Sequence, residues 1–235
     1  MCHHCPTPPT GRRGFLGLAA GALAAGLALP MRSAGATTRP TADEALARLK
    51  AGNARYVEAP DLCATALRSQ RAGTAADQSP WATILSCSDS RVPPELVFGG
   101  VGIGDLFVAR NAGNMVDPAT MGTLEYGAAE LGVPLIVVLG HKRCGAVSAA
   151  CEVVEQRTQF PGYIARMVEP IVPAALAAYG RPGDYLANAV RESALRTARY
   201  IGSDSPLIAE RLRQRRIRVV AAVYDLDDGR VAFLD

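Results

Sequence analysis

Histidine is scarce in this chain. There are three in 235 residues, and two of them, His3 and His4, fall in the opening pentapeptide MCHHC. The rest of the sequence has a single imidazole, His141, with which to bind a metal or move a proton. A metal site built on three histidines is therefore excluded there. The N-terminal apolar run, Phe15 to Leu29, is also short. Its fifteen residues fall below the roughly 20 needed to cross a bilayer core of about 30 Å. Internal repeats are absent, and so is low complexity beyond this run.

What the N-terminus does have is an export pattern. Arg12-Arg13 followed by Gly14-Phe15-Leu16 matches a twin-arginine signal. The apolar run ends at Pro30, and Ala34-Gly35-Ala36 offers a small-residue cleavage site. We expect residues 1–36 to be a cleaved twin-arginine (Tat) signal peptide, rather than a buried helix or an uncleaved anchor. Residues 37–235 then form the mature domain, delivered by the Tat machinery to the periplasm or another extracytoplasmic space. On that reading MCHHC is discarded. Its four ligands are also badly placed, because adjacent residues of an extended chain point to opposite sides.

Loss of residues 1–36 removes Arg12, Arg13 and Arg32 and no acidic residue, leaving 22 basic and 22 acidic side chains. A formal charge of zero argues against nucleic acid or an anionic membrane as partner. The one basic run, Arg211 to Arg216, closes a predicted helix, where the helix dipole favours cations. About 199 residues, roughly half of them apolar, suit one domain.

Thr41-Ala42-Asp43-Glu44 has the form of a capping box and predicts a helix to about Ala59. A looser helical stretch spans Leu62 to Ala72. Strands are expected at Trp81–Leu85, Asp105–Arg110, Leu135–Leu139 and Ile217–Tyr224. Asp227-Asp228-Gly229 turns the last of these into a hairpin partner, Val231–Leu234. Helices are expected from Asp117-Pro118 to Leu131-Gly132, and at 145–156, 163–179, 184–201 and 206–214. Alternation of strand and helix, with apolar strands, predicts an α/β domain around a mainly parallel sheet that ends in an antiparallel hairpin strand. Ligands of such sheets bind beyond the carboxyl ends of the strands.

At two of those ends stand unusual residues. The strand at 81–85 runs into Ser86-Cys87-Ser88-Asp89-Ser90-Arg91-Val92-Pro93, and the strand at 135–139 into Gly140-His141-Lys142-Arg143-Cys144-Gly145. The i, i+3 spacing of His141 and Cys144 suits one face of a helical turn. Two thiolates and an imidazole make a catalytic zinc set with a fourth position left for water. A helix start at Cys144 would favour its thiolate. Each residue alone would more often be a buried thiol or a loop histidine. Asp89 and Arg91 beside them point instead to a charged pair oriented on a bound reactant.

Cys-Ser-Asp-Ser-Arg-Val-Pro followed by Gly-His-x-x-Cys-Gly resembles the signature of the β-class carbonic anhydrases. The resemblance covers most of the mature chain, including Arg-Asn-Ala-Gly-Asn at 110–114. It implies one Zn²⁺ per chain held by Cys87, His141 and Cys144, with Asp89 and Arg91 as the catalytic dyad. The implied reaction is hydration of CO₂ to bicarbonate by zinc-bound hydroxide. Two thiolates cancel the charge of the ion, so its water should ionise above the value of about 7 known for three-histidine zinc. Hydrolysis of carbonyl sulfide or carbon disulfide on the same fold is the alternative, and a zinc-binding or redox protein without turnover is a third. Cys63 and Cys151 match no ligand position. A pairing of the two after export is the alternative; buried free thiols are the expectation, because helical positions so far apart give no sign of proximity. The resemblance also implies a homodimer or higher homo-oligomer. Some members have a second bicarbonate pocket built on a tryptophan, an arginine and a tyrosine. Arg110 and Tyr224 match the last two, but Ile84 stands at the tryptophan position, which argues against that pocket here.

Overall fold

Thr41 opens the first helix, Ala42–Glu58, with both bonds of a capping box. Its hydroxyl accepts from the Glu44 amide at 3.2 Å, and the Glu44 carboxylate accepts from the Thr41 amide at 2.7 Å. Two donors that the helix cannot satisfy itself are thereby paired. The computed structural model describes residues 39–59, 71 and 73–234. Residues 1–36 (MCHHC among them), Cys63 and all of the Leu62–Ala72 stretch except Arg71 lie outside the described residues.

The sheet has five strands: β1 (Ala82–Cys87), β2 (Leu106–Asn111), β3 (Leu135–His141), β4 (Arg218–Tyr224) and β5 (Val231–Leu234). Their order is β2-β1-β3-β4-β5, with parallel pairing except between β4 and β5. Period-2 alternation sends successive side chains to opposite faces. Leu135, Val137 and Leu139 of β3 join Ala82 and Ile84 of β1 and Leu49 of the first helix on one face. Ile136 and Val138 join Leu85 of β1 and Leu124, Ala194, Ile201 and Ile208 from the helices of the other face. Both faces are covered, so β1 and β3 are buried along their whole length. Each fully buried Leu or Ile contributes about 1.5–3 kcal/mol relative to exposure.

The structure differs from the sequence-based expectation at several places. Residues 163–179 are not one helix. They form helices Gly162–Val168 and Val172–Ala178, joined by a 3₁₀ turn at Glu169–Ile171. Pro170 and Pro173 lack the amide that an unbroken helix would require. A short helix, Pro94–Val97, was not expected; it starts on the Val92-Pro93-Pro94 sequence that ends the site loop. Strands β1 and β3 each run two residues past their last expected residue, to Cys87 and to His141. That extension matters for the site, because it makes two site residues part of the rigid sheet.

Topology also places the crevice. β1 connects to β2 on one side and β3 to β4 on the other, so the chain leaves these neighbouring strands in opposite directions. In open α/β sheets the ligand crevice opens at such a switch point, beyond the carboxyl ends. Here those ends are Cys87 and His141.

Candidate metal centre

Cys87 is the last residue of β1 and is 5% exposed. His141 closes β3 and is completely buried. Cys144 is the N-cap of the helix Gly145–Gln156 and is also buried. One ligand atom from each, the two Sγ atoms and a ring nitrogen, lie within 4.8 Å of one another. The His141–Cys144 proximity is not that of a helical turn, as their spacing had suggested. His141 is in a strand, and the chain turns through Lys142 and Arg143, with Arg143 at φ 56°.

The chemistry of this donor set fits a soft divalent ion. His141 Nδ1 lies 3.0 Å from the Lys142 carbonyl, which can only accept, so Nδ1 carries the proton. Nε2 therefore presents a lone pair, and it is buried without a partner. An orphaned buried nitrogen is costly unless something occupies its lone pair. The two Sγ atoms are 3.9 Å apart. The bond from Cys144, aided by His141 and the Gly113 amide, holds the Cys87 thiol well below its ordinary range, against the upward push of burial. The same bond, with burial, pushes Cys144 upward. Two buried sulfurs competing for one proton are relieved by a divalent cation between them. Tetrahedral zinc takes such S and N donors.

Asp89 lies at the edge of this cluster, its Oδ2 3.9 Å from His141 Nε2. Arg91 grips it through both oxygens: Nε to Oδ1 at 2.9 Å and a terminal nitrogen to Oδ2 at 2.6 Å. The Arg91 amide adds a third bond to Oδ1 at 3.0 Å. These bonds, the guanidinium's first, hold the Asp89 carboxyl well below the usual carboxylate range. All five residues that the sequence singled out thus converge at one place.

Sequence reasoning missed the groups that hold this loop. Arg110, the fifth residue of β2, donates from Nε to the Cys87 carbonyl at 3.0 Å and from a terminal nitrogen to the Asp89 carbonyl at 2.8 Å. Gly113 donates its amide to Cys87 Sγ at 3.4 Å. Its φ of +82° suits glycine, and a Cβ there would meet Ile171 Cδ1 at 2.5 Å. The Arg-Asn-Ala-Gly-Asn run at 110–114 was the available signal. Arg110 and Tyr224 are engaged separately, Tyr224 with the hydroxyl of Tyr56 at 3.3 Å, and Ile84 is packed in the core. Among the described residues Cys151 is a buried free thiol; Cys63, the alternative partner, lies outside them.

The profile of the carbonic anhydrase family matches residues 82–231, which span every residue of the site. Carbonic anhydrase 2 of Mycobacterium tuberculosis is 39% identical over 191 residues, covering 80% of this chain and 90% of that one. The carbonic anhydrase of Mycolicibacterium smegmatis is 37% identical over 187 residues, covering 78% and 88%. Among solved structures, the β-carbonic anhydrase CcaA aligns over 81% of this chain and 95% of its own, with a TM-score of 0.64 and 26% identity. The Coccomyxa β-carbonic anhydrase in complex with acetazolamide aligns over 71% and 77%, with a TM-score of 0.63 and 27% identity. The chain belongs to the β-class carbonic anhydrase family.

Proposed function

We propose that this chain catalyses the reversible hydration of CO₂ to bicarbonate, with Cys87, His141 and Cys144 holding one zinc ion. One observation carries the reading: two buried thiols and an unpartnered imidazole nitrogen share one small space, with a carboxylate 3.9 Å from that nitrogen. Bound there, zinc supplies a water of lowered pKa as the nucleophile.

The chain's own groups then have defined tasks. Asp89 is an acceptor only, because its carboxyl stays ionised. Its lone pairs not engaged by Arg91 can accept a hydrogen bond from the attacking water and aim that oxygen at the substrate carbon. Arg91 fixes the orientation of Asp89 through the paired bonds and keeps the carboxylate from becoming a ligand itself. Arg110 fixes the backbone on which both Cys87 and Asp89 stand. Burial of Cys87, His141 and Cys144 keeps bulk water from the sulfurs. Side-by-side assays with CO₂ and carbonyl sulfide test the substrate. Turnover of CO₂ far above that of carbonyl sulfide is the expected result, and the reverse ratio would reassign the enzyme.

We further infer that residues 1–36 direct export of the folded, zinc-loaded protein. Arg12-Arg13 and the short apolar run support this. Loading zinc before export protects Cys87 and Cys144 from oxidation and from copper, which binds such donors more tightly. Replacement of Arg12-Arg13 by Lys-Lys should leave full-length precursor in the cytoplasm, and unchanged export would refute the assignment. A homo-oligomer is also inferred. β2 is an edge strand, and Tyr126, on the helix Pro118–Ala129 that packs on β2, is half exposed.

A further inference from the structure

We propose that Asp227 is a positioning residue for the metal ligands: it clamps the two-residue turn that sets the spacing of His141 and Cys144. The inference rests on the reading above, in which His141 and Cys144 hold zinc.

Only Lys142 and Arg143 separate the end of β3 from the Cys144 cap. Arg143 sits in the left-handed region at φ 56°, a conformation that is unfavourable for a non-glycine residue. Something must hold the turn there. Part of the restraint is backbone, because the Lys142 amide donates to the Tyr224 carbonyl of β4 at 2.9 Å. Most of the rest comes from one carboxylate, with Asp225 adding a longer contact to Lys142. Asp227 takes the Arg143 guanidinium in a paired grip, at 2.6 Å to Oδ1 and 3.0 Å to Oδ2. Its Oδ2 also bonds Lys142 Nζ.

Asp227 stands on the β4–β5 turn, which is itself braced. The Asp225 carboxylate accepts the Asp227 amide at 2.8 Å and lies 3.4 Å from Lys142 Nζ. The Asp225 amide donates to the Arg230 carbonyl at 2.8 Å, and the Gly229 amide to the Asp225 carbonyl at 3.0 Å. From the first helix, Asn53 bonds the Gly229 carbonyl and the Val231 amide. The clamp is thus rooted in two elements of the core.

An isolated exposed ion pair is worth little. Here one carboxylate restrains two consecutive residues, one of them bidentately, and its own loop is fixed. The turn also orients the histidine, since the acceptor of His141 Nδ1 is the Lys142 carbonyl. A shift of the turn would move Cys144 and rotate the imidazole together. Partners bonded directly to metal ligands typically change metal affinity by about 10–100-fold when removed, and Asp227, one step further out, is expected at the lower end of that range.

The test follows zinc leaving the holo-protein for an excess of a chromophoric chelator, with unfolding followed in parallel. Asp227→Asn should bind one zinc per chain and release it about tenfold faster than wild type. Asp227→Glu should recover much of the difference. Lys142→Ala/Arg143→Ala removes the same bonds from the other side, together with the longer Lys142–Asp225 contact, and should release zinc at least as fast as Asp227→Asn. Adding Asp227→Asn to that pair should accelerate it no further. The Lys142/Arg143 variant carries the test alone if Asp227→Asn fails to fold. Unchanged release in folded variants, additive acceleration in the triple variant, or no recovery in Asp227→Glu would each overturn the clamp. Wild type that holds no zinc would instead defeat the zinc reading.

Discussion

Arg110 donates from Nε to the Cys87 carbonyl at 3.0 Å, tying the end of β1 to the neighbouring strand through a side chain. The same guanidinium holds the Asp89 carbonyl at 2.8 Å. One residue thus sets the relative position of a sulfur ligand and the carboxylate. Arg110→Ala should retain most of its zinc but lose up to about 10²-fold in kcat/KM, the scale expected when a reacting group is displaced by about 1 Å. Stopped-flow CO₂ hydration, with zinc content measured on the same sample, checks this. Undiminished kcat/KM would show that the loop holds itself.

Asp89→Asn keeps the shape of the side chain and removes its ability to accept as a carboxylate. A loss of about 10²–10⁴ in kcat is expected, with zinc retained. The variant also carries a pH signature. The Asp89 carboxyl is held down in the fold, chiefly by Arg91, so its contribution to stability is present above its unfolded pKa. That contribution fades as pH falls through the lower folded value. Denaturant unfolding in chelator should therefore find Asp89→Asn less stable than wild type at pH 7. The gap should shrink toward pH 2–3, and a gap that widens in acid would contradict the assignment.

Proton removal is expected to be external. Among the described residues the sole histidine is His141, with Nδ1 bonded to a carbonyl and Nε2 facing the sulfurs. Asp89 is committed to Arg91. No group near pKa 6.5 remains at the site to pass a proton outward at neutral pH. The maximal rate should rise with imidazole concentration at fixed pH and ionic strength, while kcat/KM stays nearly flat. A maximal rate independent of buffer would require an internal relay.

The sheet and the two segments that it brings together at its strand ends were legible in the sequence because both signals are local. β3 opens with an apolar run of which Ile136, Val137 and Val138 are β-branched, and the cysteines, histidine, aspartate and arginine stand in two short segments at the ends of such runs. The broken helix at 162–178 was less legible, although Pro170 and Pro173 were in plain view, because apolar periodicity continues across them. The turn between His141 and Cys144 was misread for another reason. A spacing of three fits a helical face, and only the neighbouring strand β4 shows that His141 belongs to the sheet. Arg110 and Asp227 were missed because their partners are 21 or more positions away in sequence, a proximity that exists only after folding.

The central claim is that one zinc ion, held by Cys87, His141 and Cys144, makes the chain a carbonic anhydrase. Its most direct test is the stopped-flow CO₂ hydration rate of the protein, stripped of metal and then titrated with zinc. The rate should be near the uncatalysed background at first, climb in proportion to bound zinc, and level off at about one ion per chain. The same titration of Cys87→Ser should stay flat. Full activity before zinc is added, or a Cys87→Ser variant that follows the wild-type curve, would contradict the account.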